Sequence, residues 1–241
     1  MTRKVLGILA AIGMALPLFA DSGNKKVFEV TSTQTVPFQP GGTIRLNHSY
    51  GYLSIEGWDR PEVEITVIKS LDNLYDAKEQ GEATKRVNTV QVTAERKSDT
   101  DLQINTAVPH YSRWTHPLGS TGGVMVEYQI KAPRNSNLAI QQGTGDIMVT
   151  GINADINATG SKGDIVVLLP EGVQYSIDAK TKLGTVSSDF DGDFHHRHWV
   201  GIRYATAPAT PAHKIYLRMG IGGITLKGSP AMAQPPSGAV Q

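Results

Sequence analysis

The sequence predicts an all-β protein whose second half is a stack of β-solenoid coils, and three observations carry that expectation. Apolar residues recur at every second position through most of the chain. A Gly-x-(Ile/Val/Leu) tripeptide returns at nearly constant spacing, and only one short segment has helical composition. Alternation at period two puts one set of side chains on a buried face and the other in water. The 241 residues, 39% hydrophobic and 19% charged, suffice to bury one large core or two small ones. Twenty-five glycines and the low charged fraction point away from disorder and from a helical bundle.

At the start of the chain, Arg3 and Lys4 precede an apolar run from Val5 to Phe19, with Pro17 near its end and Ala20 before Asp21. With Leu18 and Ala20 at the −3 and −1 positions, residues 1–20 read as a signal peptide. The run is shorter than the ~20 apolar residues a bilayer span needs. Cleavage leaves 21 basic against 22 acidic side chains, and no later segment is apolar enough to cross a membrane. The mature chain is therefore expected without a transmembrane segment, in the periplasm, at the cell surface or secreted.

Residues 21–136 form a region of irregular strands. Ile44 and Leu46, Leu53 and Ile55, Val63 with Ile65 and Val67, Leu102 and Ile104, and Val124 with Val126, Tyr128 and Ile130 all alternate with polar neighbours. Pro40-Gly41-Gly42, Asp59-Arg60-Pro61 and Pro133-Arg134-Asn135 punctuate the runs. A short surface helix is expected near 72–86, where Ala, Glu, Lys and Gln gather but only Leu74, Ala77 and Ala83 are apolar. Gly81 weakens it by ~1 kcal/mol.

Residues 137–228 carry the repeat. Gly145, Gly163, Gly184 and Gly222, spaced 18, 21 and 38 residues apart, each open a strand, as Gly51 does earlier. A period near twenty suits one solenoid coil, with Ile147, Ile165 and Val186 expected to stack in successive coils. Glycine at the corner permits a positive φ, and coils about 4.8 Å apart would stack the following Ile or Val into an internal ladder. The expected core is Ile147, Val149, Ala154, Ile156, Ile165, Val167, Leu169, Ile177, Ala179, Val186, Ile224 and Leu226. Residues 189–213 fit no coil and are expected as a loop excursion that returns at Ile215. The Pro-rich tail 229–241 reads as disordered.

The stretch Val126-Glu-Tyr-Gln-Ile-Lys-Ala-Pro-Arg-Asn-Ser-Asn-Leu138, followed by Gly143-Thr-Gly-Asp-Ile-Met-Val-Thr-Gly-Ile and Gly160-Ser-Lys-Gly-Asp-Ile, resembles the bacterial putative-adhesin domain family of unknown function. Gly51-Tyr-Leu-Ser-Ile-Glu-Gly-Trp-Asp and Val63-Glu-Ile-Thr-Val look like that family's opening strands. The resemblance spans most of residues 28–228. It implies a right-handed β-solenoid like an autotransporter adhesin head, and it supplies no catalytic residues. The chain departs from the pattern between Asp189 and His213, and no carboxy-terminal membrane barrel is expected.

Chemistry is sparse. With no Cys, disulfides, thiolate zinc sites and iron–sulfur clusters are excluded. With 23 basic against 22 acidic residues, there is no field to hold nucleic acid. Asp189, Asp191 and Asp193 alternate, which could place three carboxylates on one side for a hard cation, but Phe194 and Val200 stand where a calcium loop needs Gly and Glu. His196 and His198 could chelate a borderline metal, with Arg197 between them repelling it. Both sets read as solvated side chains, so neither metal nor cofactor is expected. Tyr111 and Trp114, on a Gly/Ser/Pro-rich loop, are candidates for a binding surface. The leading functional expectation is a non-catalytic exported module meeting a polymer or protein at the cell envelope. The alternative is a carbohydrate-active β-helix enzyme working with Asp189, Asp191 and Asp193, or with Asp146 and Asp164, which needs two carboxylates about 5–10 Å apart in a cleft.

Overall fold

The computed structural model describes residues 26–75, 78–107, 123–196 and 201–230. The signal peptide expected at 1–20, and residues 231–241 of the tail expected at 229–241, lie outside the described residues. The chain is mostly strand, in two sheets, with one helix among the described residues. The first sheet holds β1 (Lys26–Pro37), β3 (Leu53–Trp58), β4 (Glu62–Tyr75), β7 (Val124–Pro133), β9 (Ile147–Thr150), β11 (Ile165–Pro170), β13 (Val186–Ser188) and β17 (Ile224–Ser229). The second holds β2 (Thr43–Tyr50), β5 (Gln91–Ser98), β6 (Asp101–Ala107), β8 (Asn137–Thr144), β10 (Ile156–Lys162), β12 (Tyr175–Leu183), β14 (Asp193–His196), β15 (Ile202–Ala205) and β16 (His213–Ile221). The helix is α1 (Gln80–Val87).

Five strands of the second sheet each pass through a glycine corner into a strand of the first: β2 to β3, β8 to β9, β10 to β11, β12 to β13 and β16 to β17. β6 and β7 make a sixth pair. In both sheets these pairs stand in one spatial order, β6/β7, β2/β3, β8/β9, β10/β11, β16/β17, β12/β13, with parallel neighbours throughout. Antiparallel strands flank them: β4 and β1 beside β7, β5 beside β6, and β15 and β14 beside β12. The sheets are thus mixed, and neither closes on itself.

Register explains the core. Tyr128, Leu53, Ile147, Ile165, Ile224 and Val186 pair rung by rung across the first sheet. Leu102, Ile44, Leu138, Ile156, Ile215 and Ile177 do the same across the second. All are buried, as are all twelve core residues expected from the sequence. Each buried aliphatic side chain contributes roughly 2 kcal/mol of transfer free energy.

Gly145 and Gly163 turn their corners at φ +124° and +130°. A Cβ on Gly163 would sit 2.1 Å from the Gly145 carbonyl oxygen, and one on Gly145 would sit 1.9 Å from that of Gly51. The corners therefore need glycine for close stacking as well as for φ. Beside them, the Asp164 amide donates to Asp146 Oδ1 at 2.9 Å and the Gly223 amide to Asp164 Oδ1 at 2.6 Å. These turn aspartates tie one unit to the next.

Three expectations are corrected. The units do not follow chain order: Ile165 meets Ile224, which meets Val186, so β16/β17 stands between β10/β11 and β12/β13. The antiparallel β15 already covers the outer edge of β12, and the returning chain takes the inner one. Within residues 189–213, β14 and β15 pair antiparallel as a hairpin added to the sheet beside β12, and Tyr204 of β15 is fully buried against the core. The helix is shorter than 72–86, because Leu74 and Tyr75 still pair with Val27 and Lys26 of β1. Tertiary pairing there overrides helical composition.

Candidate binding surface

Side chains on the outer face of the second sheet lie in register. Gln103, Arg45, Ala139, Asn157 and Tyr216 form one row across β6, β2, β8, β10 and β16. Asn105, Asn47, Gln141, Thr159 and Arg218 form the next. The short Ala139 leaves space between longer neighbours, and a groove of about 370 Å³ runs over it. One end is held rigidly. Arg218 stacks with its guanidinium carbon 3.8 Å from the Tyr216 ring centre. Arg218 also donates to Asp178 Oδ2 at 2.8 Å, and Arg203 donates to Asp178 Oδ1 at 2.9 Å. Burial alone would push the Asp178 carboxyl up; the hydrogen bonds from Arg203 and Arg218 outweigh it and hold the pKa at about 2. At the other end, Arg45 pairs with Asp101 at 3.4 Å.

Two further grooves stand out among the described residues. One of about 810 Å³ crosses the strand ends around Trp58, Pro61, Pro133 and Pro170. Arg60 and Lys131 lie 5.1 and 5.8 Å from the Trp58 ring, and Arg134 is paired with Asp59 at 2.7 Å. The other, about 600 Å³, lies between the hairpin and β12, lined by Tyr175, Phe190, Asp191 and Asp193.

Of the metal candidates, the three aspartates do not line one groove together. Asp189, Asp191 and Asp193 are exposed, and Asp189 stands outside the groove that the other two line. The Asp189 amide donates to the Leu226 carbonyl at 3.0 Å. His196 ends β14, opposite Ile202. His198, Tyr111 and Trp114 lie outside the described residues. Among the described residues, no three His, Asp or Glu side chains gather as a metal site would require. The Tyr204 phenol titrates above its usual value, because of burial first and then the charges of Asp191 and Asp193.

Inside the stack, the row next to the corners carries polar side chains at His48, Gln142 and Thr181, with Gly160 and Met219 between the last two. His48 Nδ1 is 3.1 Å from Thr106 Oγ1, which is 2.7 Å from the Tyr128 hydroxyl. The His48 and Tyr128 rings meet edge to face at 4.8 Å. Gln142 Nε2 donates to the Gly51 carbonyl and Thr181 Oγ1 to that of Gly222, both at 2.8 Å. Burial lowers the His48 pKa to about 4 and raises that of Tyr128 to about 12. Gln142 and Thr181 thus brace two corners from within.

Neither the outer groove nor the inner polar row was anticipated from sequence. The available signal was the choice of Asn and Gln, in place of Lys and Glu, at outward positions of successive strands.

No protein-family model matches the chain, and no curated protein matches it in sequence. Among solved structures, a putative cell adhesion protein from Clostridium sporogenes is similar at 16% identity and TM-score 0.46, over 83% of this chain and all of that one. A putative adhesin from Bacteroides fragilis is similar at 11% identity and TM-score 0.29, over 85% of this chain and 98% of the other. A putative lipid binding protein from Parabacteroides distasonis is similar at 7% identity and TM-score 0.22, over 86% and 96%.

Proposed function

We propose that this chain is an exported, non-catalytic, adhesin-like β-solenoid that serves as an interaction or structural module of the cell envelope. Its regular units are those of residues 137–228, and the earlier strands begin the stack. Right-handedness is what the sequence resemblance implies. The observation that carries the reading is the shared spatial order of the strand–glycine–strand units in both sheets. Such an order gives a rod with apolar ladders inside and a continuous polar face outside, a geometry for extended contact rather than for a closed reaction chamber. The turn carboxylates of Asp146 and Asp164 are engaged with backbone amides, as structural groups would be. The enzyme alternative finds less support. Asp191 and Asp193 share a groove but face water, and a glycosidic general acid needs burial to keep its proton near neutrality.

Fractionation of cells expressing the tagged full chain, with amino-terminal sequencing of the product, tests export. A mature product beginning at Asp21 and sedimenting with the envelope is expected. An uncleaved product in the cytoplasm overturns the reading.

A further inference from the structure

We propose that the groove on the outer face of the second sheet binds an uncharged polysaccharide, laid across the strands along the stacking direction. This deepens the envelope reading and rests on it.

The argument begins with hydrogen-bonding capacity. Asn47, Gln141 and Asn157 stand on three consecutive strands, β2, β8 and β10, and their side chains make no hydrogen bond among the described residues. Each amide offers two donors and an acceptor. That mixed set suits hydroxyl groups, which both donate and accept, better than it suits carboxylates or phosphates. Charge agrees: Arg45 is the charged residue among those lining the groove, and it is paired with Asp101. An anionic polymer would find no array of free cations, and a cationic one no acid.

Shape agrees as well. The groove crosses five strands, roughly 19 Å at the ~4.8 Å spacing of a sheet. One strand spacing is close to the length of one sugar ring in an extended chain, so successive rings would meet successive amides. Tyr216, 41% exposed, closes one end. Arg218, which lies outside the groove lining, stacks on the ring and is itself fixed by Asp178. The ring is thereby held before any ligand arrives, and a rigid aromatic binds with little loss of side-chain entropy.

The test is affinity electrophoresis of the full chain in gels containing hydroxyethyl cellulose or galactomannan, both neutral, or polygalacturonate, which is anionic. Retardation by at least one neutral polymer is expected. Tyr216→Ala, and the pair Gln141→Ala with Asn157→Ala, should weaken it about tenfold or more, while Tyr216→Phe stays within about twofold of the parent. These positions face solvent, and an unchanged melting temperature confirms that the variants fold. Retardation by polygalacturonate alone, by none of the three, or equally in all variants overturns the proposal. The same variants in the fractionation experiment separate the two readings. Envelope sedimentation that persists without polysaccharide binding rejects the groove and leaves the envelope module standing.

Discussion

His48 makes the stack acid-sensitive by a calculable amount. Its ring is 1% exposed, packed edge-on against Tyr128, and burial lowers its pKa from 6.5 to about 4, partly offset by the backbone of Val126. The unfolded chain takes up this proton near pH 6.5, while the folded chain resists until about pH 4. Between those values the unfolded state binds more protons, so stability falls as pH falls. The site costs nothing above the unfolded pKa. It costs about 2 kcal/mol by pH 5 and about 3 kcal/mol by pH 4, then levels off. The assay is urea unfolding at pH 7, 5 and 4 for the parent and His48→Gln, which puts an amide of similar reach in place of the imidazole and cannot titrate. Other histidines and carboxylates contribute equally to both chains, so the difference isolates His48. Curves that run parallel from pH 7 to 4 would refute the argument, as would a His48 ring resonance that titrates near 6.5 in the folded protein.

Gly163→Ala should cost about 3 kcal/mol or prevent folding, since its Cβ meets the Gly145 carbonyl oxygen at 2.1 Å in a positive-φ corner. Gly172→Ala, at φ +80° with nothing within 4 Å, should cost only about 1 kcal/mol; equal losses by calorimetry would remove the stacked-corner account. Gly81→Ala, inside α1 with open space around it, should stabilise by about 0.5–1 kcal/mol, and a lowered melting temperature would contradict the helix. Asp178, held down at about 2, contributes stability that is present above pH 4 and lost toward pH 2. With solvent screening, Asp178→Asn should cost about 1 kcal/mol at pH 7 and close to nothing at pH 2, by urea unfolding at both.

The sequence disclosed strands and corners because both follow from local rules. Ile147, Val149, Ile165 and Val167 alternate as a half-buried strand must, and Gly145 and Gly163 stand where a chain turns sharply. The order of the units escaped because the ladder is chemically uniform. Ile165 pairs as well with Val186 as with Ile224, and nothing in either residue says which neighbour wins. That choice is made by the hairpin at β12, whose strands are only four residues each and whose key residue, Tyr204, sits among Asp, His and Thr. His48 and Gln142 were illegible for another reason. They occupy inward positions but are polar, so hydrophobic alternation ends before the strand does. The binding groove was hidden because outward polar residues read as ordinary solvated side chains until register lines them up.

The exchange of units at both ends of the stack bears on how the chain can assemble. In an array whose members follow in sequence, an end piece can melt alone while the rest persists. Here β2/β3 is clasped between β6/β7 and β8/β9, and β16/β17 between β10/β11 and β12/β13. A nascent chain that has reached residue 188 therefore holds two surfaces that do not yet touch, and the segment 213–229 must enter between them as a keystone. Such long-range closure slows folding. Once in place, it leaves β2/β3 and β16/β17 with a neighbour on either side, so these units cannot peel away singly, and fraying is left to edge strands such as β1, which pairs with β4 alone.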